Sequence, residues 1–113
     1  MRTCPFCRIA AGKESASIVY QDEDVTAFRD RNPQAPTHVL IIPNEHVESV
    51  DQVKAGDVDW LGRLIVVARD VAKQEGLTSG YRLVVNTGPE AGQSVHHLHV
   101  HLLGGRPMSW PPG

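Results

Sequence analysis

Val95-His96-His97-Leu98-His99-Val100-His101-Leu102-Leu103 decides how this chain is read. Four of the chain's six histidines stand in that run. In an extended strand, successive side chains point to opposite faces. His97, His99 and His101 then share one face at steps of ~6.6 Å, while Leu98, Val100 and Leu102 fill the other. On a helix the same three imidazoles would spread around the cylinder and converge on nothing. The alternation predicts a half-buried strand from about His97 to Leu103. Solvated strand faces ordinarily use Thr, Lys, Glu or Ser. Aligned imidazoles point instead to chemistry: a catalytic array or a metal trio, though three strand neighbours converging on one ion is geometrically awkward.

Immediately upstream, Gly88-Pro89-Glu90-Ala91-Gly92-Gln93-Ser94 is bracketed by glycine and runs straight into the histidines. Glycine lets the backbone turn N–H groups toward an anion with no Cβ in the way. Ser94 adds a hydroxyl that can donate to a phosphate oxygen or a leaving group. Beside three aligned imidazoles, this loop reads as a phosphate site.

Working further outward, β-branched and aromatic residues mark strands at Ile18–Gln21 and Val25–Phe28, joined by the polar turn Asp22-Glu23-Asp24. The two prolines of Asn32-Pro33-Gln34-Ala35-Pro36-Thr37 exclude regular structure. His38–Ile42 is a third strand, apolar enough to be central and ended by Pro43. A helix follows, with Asp57 as N-cap and Gly76 past its last turn. Its core stripe is Val58, Leu61, Ile65, Ala68 and Ala72, widened by Leu64 and Val71. Tyr81–Val85 is a fourth strand, and Cys4–Ala11 is a short amphipathic helix. Hairpin-length links between strands predict an α+β fold with an antiparallel sheet.

With 113 residues there is room for one domain, 1–113, around a single modest core. A net charge of -2 encodes no bulk attraction to nucleic acid or an anionic membrane. Met1-Arg2-Thr3-Cys4-Pro5 has no apolar run like a signal peptide, and no stretch is long enough to span a bilayer, so the cytoplasm is the expected location. In such a reducing compartment, Cys4 and Cys7 read as a metal or redox pair rather than a structural disulfide. Redox pairs of this spacing usually follow a strand, and only three residues precede Cys4. Two free thiols are the remaining alternative. Neither a lysine-bearing phosphate loop nor paired metal-binding carboxylates are present to indicate a kinase or a magnesium-dependent nuclease.

The run His97-Leu98-His99-Val100-His101-Leu102-Leu103 resembles the signature of the histidine triad superfamily. Its flanks resemble the Hint branch: Gly92-Gln93-Ser94-Val95 before it, then Gly104-Gly105-Arg106 and Trp110-Pro111-Pro112-Gly113 after it. Asp30, Pro33–His38 and Tyr81–Asn86 fit as well, so the likeness covers nearly the whole chain. The resemblance implies a five-stranded antiparallel sheet with one main helix and a short N-terminal helix, dimerising into a larger sheet. It implies hydrolysis of the P–N bond of purine nucleoside 5′-phosphoramidates, with AMP, GMP or their phosphoramidates as ligands and no cofactor for the chemistry.

By that resemblance, His99 is the nucleophile, oriented by a backbone carbonyl of its own strand, and forms a nucleotidyl-histidine. His101 bonds the phosphate oxygens or shares a proton there, with His38 supporting the triad. Ser94, Asn86 and the N–H groups of the Gly92, Gln93, Ser94 and Val95 loop position the phosphate and leaving group. Phe6, Ile9 and Phe28 line the nucleoside pocket, unless they are plain core, and Asp30 accepts from the ribose hydroxyls. Two residues depart from the pattern. Arg31 replaces the apolar residue many members have after the aspartate, and stacks on the base or reaches solvent. His96 stands where animal members carry an aromatic, and is read as a non-site residue.

The resemblance also implies a structural zinc held by Cys4, Cys7, His46 and His97, as in many bacterial members. It implies a homodimer in which the Trp110 tail reaches the partner subunit near its active site. Diadenosine polyphosphate hydrolases and nucleotidyl transferases of the same superfamily are the alternatives, disfavoured by the Gly-Gly-Arg and Trp-Pro-Pro-Gly ending. A nucleotide-binding regulator with incidental activity is the alternative from another class.

Overall fold

Every strand of the sheet pairs antiparallel, in the order β1-β2-β3-β5-β4. The computed structural model describes residues 3–113; Met1 and Arg2, part of the N-terminus read above as lacking an apolar leader, lie outside them. In chain order the elements are α1 (Pro5–Ala10), β1 (Ile18–Gln21), β2 (Val25–Arg29), β3 (Thr37–Pro43), α2 (Val58–Gln74), β4 (Tyr81–Val84) and β5 (Val100–Gly104). No helix is long and apolar enough to cross a membrane, among the described residues.

β3 is buried along its whole length because both of its faces are covered. Val39 and Ile41 join Val25, Ala27, Val100 and Leu102 against α2. Leu40 and Ile42 join Phe28 on the opposite face, under α1 with its Phe6 and Ile9. Each fully buried aliphatic or aromatic side chain of this kind stabilises the fold by roughly 1.5–3 kcal/mol. The register sets Leu40 opposite His101 and His38 opposite Leu103. His38 and His101 are thereby diagonal neighbours on the α1 face, within reach of each other.

Three sequence expectations need correcting. The core stripe of α2 is Leu64, Val67, Ala68, Val71 and Ala72, while Val58 and Ile65 are exposed. Measured around the helix from Leu64, the buried residues span from about −60° at Val67 to about +80° at Ala72, and Ile65 at about +100° falls just outside that arc. Asp57 does occupy the N-cap position, but its carboxylate accepts from the N–H of Lys54 (2.8 Å) rather than capping α2. The third correction concerns the site. β5 begins at Val100, not His97, so His97 and His99 approach the sheet in irregular chain.

The Asn32–Pro36 segment is clamped from β5. Gly105 adopts φ +93°, and a Cβ there would lie 2.9 Å from the Pro36 Cβ. Arg106 Nε–H donates to the Gln34 carbonyl at 3.0 Å. Gly105→Ala is therefore expected to cost about 1–3 kcal/mol through backbone strain and overlap with a proline ring that cannot yield. Urea denaturation tests this, and an unchanged midpoint would contradict it.

Candidate active site and metal cluster

Main-chain groups set the tautomers of the buried histidines one after another. An amide N–H can only donate and a carbonyl can only accept, so each fixes which ring nitrogen carries the proton. The Gln34 N–H donates to His38 Nδ1 at 3.0 Å. Neutral His38 therefore carries its proton on Nε2, which lies 2.9 Å from His101 Nδ1. His101 in turn carries its proton on Nε2, a buried atom with no partner among the described residues. The Asp30 carboxylate stands 3.4 Å from His38 Nε2 and also accepts from the Asn32 N–H at 2.8 Å.

His99 is held differently. Its Nδ1–H donates to the His97 carbonyl at 2.7 Å, leaving the lone pair on Nε2. Its ring lies 4.9 Å from that of His101, centroid to centroid, and 5.2 Å edge-on from Phe6. Burial pushes the pKa of all four site histidines below the ordinary value of 6.5: His97 and His101 to about 4, His38 and His99 in the same direction. At His101 the neighbouring imidazoles His99 and His38 add to the effect, while Asp30 opposes it. At neutral pH these rings are uncharged, as a lone pair on His99 requires.

His99 and His101 line a cavity of about 880 Å³ on the α1 face, together with Ser94, Val95 and Asp30. Phe6, Ile9, Phe28 and Leu40 form its apolar depth, and Arg31 stands at it as well. Phe6, Ile9 and Phe28 therefore belong to both the core and the cavity wall. A volume of this size suits a mononucleotide-sized ligand.

Other expected site residues are placed differently. Gly92, at φ +87°, ends a single turn over Pro89–Ala91. Its N–H is taken by the Pro89 carbonyl, and the Gln93 N–H by the Gly88 carbonyl, both at 3.1 Å. The Gln93 side chain is fully engaged, donating to the carbonyls of Glu48 and Val95 and accepting from Gly88 N–H. Those two residues brace the loop. The N–H groups of Ser94 and Val95, both residues of the cavity wall, have no acceptor among the described residues. Asn86 is half-buried just past β4 and is not in the cavity wall, and Trp110 is 83% exposed. His96 is exposed. Sequence reasoning missed the role of Gln34, because a main-chain donor has no side-chain signature.

Behind His97 lies a second cluster. Cys4 Sγ and Cys7 Sγ are 3.3 and 3.5 Å from His97 Nδ1, and Cys7 Sγ is 3.3 Å from His46 Nδ1. All four donor atoms lie within 4.8 Å of one another. A tetrahedral zinc with ordinary Zn–S and Zn–N bonds has S···N edges of ~3.5 Å. His97 Nε2 donates to the Pro43 carbonyl at 2.8 Å, which leaves Nδ1 as the ligand nitrogen, as outer-shell partners of metal-bound imidazoles do. The two thiols are free of disulfide, and the donor set fits a structural zinc.

An antiparallel sheet that presents neutral imidazoles to one mononucleotide-sized cavity is the architecture of a histidine triad protein. The chain belongs to the HIT family, whose HIT domain model matches residues 11–108. It is similar to a 14 kDa zinc-binding protein of Zea mays, 53% identical over 96% of this chain and 86% of that one. It is equally similar to the purine nucleoside phosphoramidase of Escherichia coli K12, 53% identical over 91% of this chain and 87% of the relative. Among solved structures, a HIT family hydrolase from Legionella pneumophila Philadelphia 1 superposes with a TM-score of 0.96 at 48% identity, covering 98% of this chain and all of that one.

Proposed function

We propose that this chain is a purine nucleoside phosphoramidase that works through a nucleotidyl-histidine. The observation that carries the reading is the His99 geometry. A ring whose Nδ1–H is held by the His97 carbonyl keeps an Nε2 lone pair at a cavity that His101 also lines. The name of the Escherichia coli relative supports the substrate class.

In the first step, His99 Nε2 attacks the α-phosphorus, a P–N bond forms to the ring, and the P–N bond to the leaving amine breaks. The amine keeps that electron pair and takes a proton relayed from solvent by the Ser94 hydroxyl. The His99 ring becomes cationic, and its Nδ1–H then makes a charge-assisted bond to the His97 carbonyl, worth about 1.5–3 kcal/mol. His101 Nε2–H and the N–H groups of Ser94 and Val95 receive the negative phosphoryl oxygens, typically the largest catalytic contribution. In the second step, water attacks phosphorus, releases its proton to solvent, and His99 leaves with its lone pair restored. The products are the nucleoside monophosphate and the amine. Asp30 accepts from the ribose, with Phe6, Ile9 and Phe28 against the base and Arg31 stacked at its exposed side.

The wild-type protein is expected to release AMP quickly from adenosine 5′-phosphoramidate and slowly from diadenosine tetraphosphate. Cleavage of the dinucleotide alone would favour the polyphosphate hydrolase reading. Binding of AMP without turnover of either substrate would favour a regulatory binding protein.

The same reading includes one domain over 1–113, a cytoplasmic location and a homodimer. In support of the dimer, β4 is an edge strand, and Tyr81 and Val85 beside it are exposed, as are Val58, Ile65 and Val66 of α2 and the Trp110 tail. Unpaired edges with apolar surroundings are ordinarily covered. Light scattering at micromolar concentration is expected to give twice the chain mass, and a monomer mass would reject the dimer.

A further inference from the structure

The late start of β5 leaves the His97 carbonyl outside the sheet ladder. No main-chain donor reaches that oxygen among the described residues, yet it is the acceptor that orients His99. What fixes the segment is a set of ties to the loop after β3. Leu98 N–H donates to the Val47 carbonyl, and Gln93 Nε2–H to the Glu48 carbonyl, each at 2.7 Å. His97 Nε2–H donates to the Pro43 carbonyl, and His97 Nδ1 enters the Cys4–Cys7–His46 cluster.

The cluster reaches His99 by a second route. Cys4 and Cys7 stand on α1, which at six residues is far too short to hold itself as a helix. The same helix carries Phe6, whose ring meets His99 edge-on at 5.2 Å and His97 at 5.9 Å. Without a metal, α1 is tied to His97 and His46 by weak thiol–imidazole contacts and by the burial of Phe6 and Ile9. With thiolates and imidazoles sharing one ion, the tie becomes part of the folding energy.

We propose that the Cys4–Cys7–His46–His97 cluster is a positioning device for His99. Metal held by it fixes both the His97 carbonyl that sets the His99 tautomer and the α1 helix that packs Phe6 against the ring. Turnover then depends on metal content although none of the four ligands needs to touch substrate. Cys4, Cys7, His46 and His97 act through His99 and are positioning residues. The inference rests on reading His99 as the nucleophile.

The test uses the full chain with ¹⁵N-labelled histidine, stripped by a chelator and reloaded with Zn²⁺, while Co²⁺ reports coordination optically. Co²⁺ is expected to give the absorption of a tetrahedral site with two thiolates. In the Zn²⁺ form, His99 is expected as a single Nδ1–H tautomer; in the stripped form, as an exchanging mixture. The kcat on adenosine 5′-phosphoramidate is expected to fall about tenfold on stripping and to recover on reloading, the range typical of lost outer-shell support. Cys7→Ser is expected to match the stripped form and to gain nothing from Zn²⁺. Should that variant misfold, the reversible stripping of wild type decides alone. The proposal is overturned by absence of metal uptake, or by an identical His99 tautomer and kcat in both forms. If neither form turns over the phosphoramidate, the functional reading fails instead, and the tautomer comparison still decides the coupling.

Discussion

His99→Ala is expected to lower the turnover of adenosine 5′-phosphoramidate by on the order of 10⁴-fold while leaving AMP bound. The asymmetry follows from what the ring does. On the proposed mechanism its Nε2 lone pair makes the new bond to phosphorus, and among the described residues no other side chain lining the cavity offers an imidazole nitrogen with a free lone pair. His101 cannot substitute, because the Gln34–His38 relay places its proton on Nε2 and occupies its Nδ1. Loss of a nucleophile that acts as a unit with its neighbours typically removes several orders of magnitude in kcat. On the same proposal AMP binding depends on other groups: the apolar wall, Asp30, and the N–H groups of Ser94 and Val95. The variant loses the ring's packing with Phe6 and His101 and its bond to the His97 carbonyl, all contacts within the protein, so AMP affinity should change by a few-fold. Steady-state kinetics and calorimetric titration with AMP separate the two effects. Residual turnover within tenfold of wild type would sink His99 as nucleophile; loss of AMP binding would mean that the substitution had collapsed the pocket.

The sequence was most legible where a side chain's chemistry and its spacing coincide. Alternation over Leu98, Val100 and Leu102 identified the buried face, and all three are core. β1 fell where β-branched residues put it, and β2 and β3 within a residue or two. The four cysteine and histidine donors converge as the resemblance implied. Less legible was anything that main-chain groups decide. A periodic pattern in extended chain looks the same inside or outside a ladder, so the start of β5 was placed three residues early. Glycines in a phosphate-type loop signal positive φ, but not which N–H groups the turn then consumes; Gly92 and Gln93 spend theirs internally. Val67 of α2 was overlooked in favour of Ile65, which is equally apolar and stands two positions away at the other edge of the stripe, and packing decides which edge is covered.

Stripped of metal, the protein is expected to lose several kcal/mol of stability between pH 6.5 and about pH 4. The buried imidazoles are the cause. His97 and His101 have their pKa lowered to about 4 by burial, with His38 and His99 shifted in the same direction, whereas an unfolded chain titrates them near 6.5. Between those values the unfolded state holds protons that the native state refuses, so the unfolding free energy rises with pH. The stabilisation is complete above about 6.5 and is lost as pH falls toward about 4. One group with such a shift contributes about 2–3 kcal/mol, and two or more approach the entire stability of an ordinary small domain. Carboxylates act in a different window. Asp22 is brought down to about 2, since the bonds from Tyr20, from the N–H groups of Asp24 and Val25, and from Arg63 outweigh its burial, so it responds only below its ordinary 3.8. Urea melts of chelator-treated protein at pH 7, 5.5 and 4.5 should therefore show a fall already under way by pH 5.5. A stability flat down to pH 4.5 would mean that the buried rings are protonated in the native state, and that an uncharged His99 is not what the fold maintains. His101→Asn supplies the internal control. With one of the shifted rings removed, the dependence on pH should flatten by up to about 1.4 kcal/mol per pH unit, the contribution of one proton. An unaltered slope would assign the acid sensitivity to groups outside the relay.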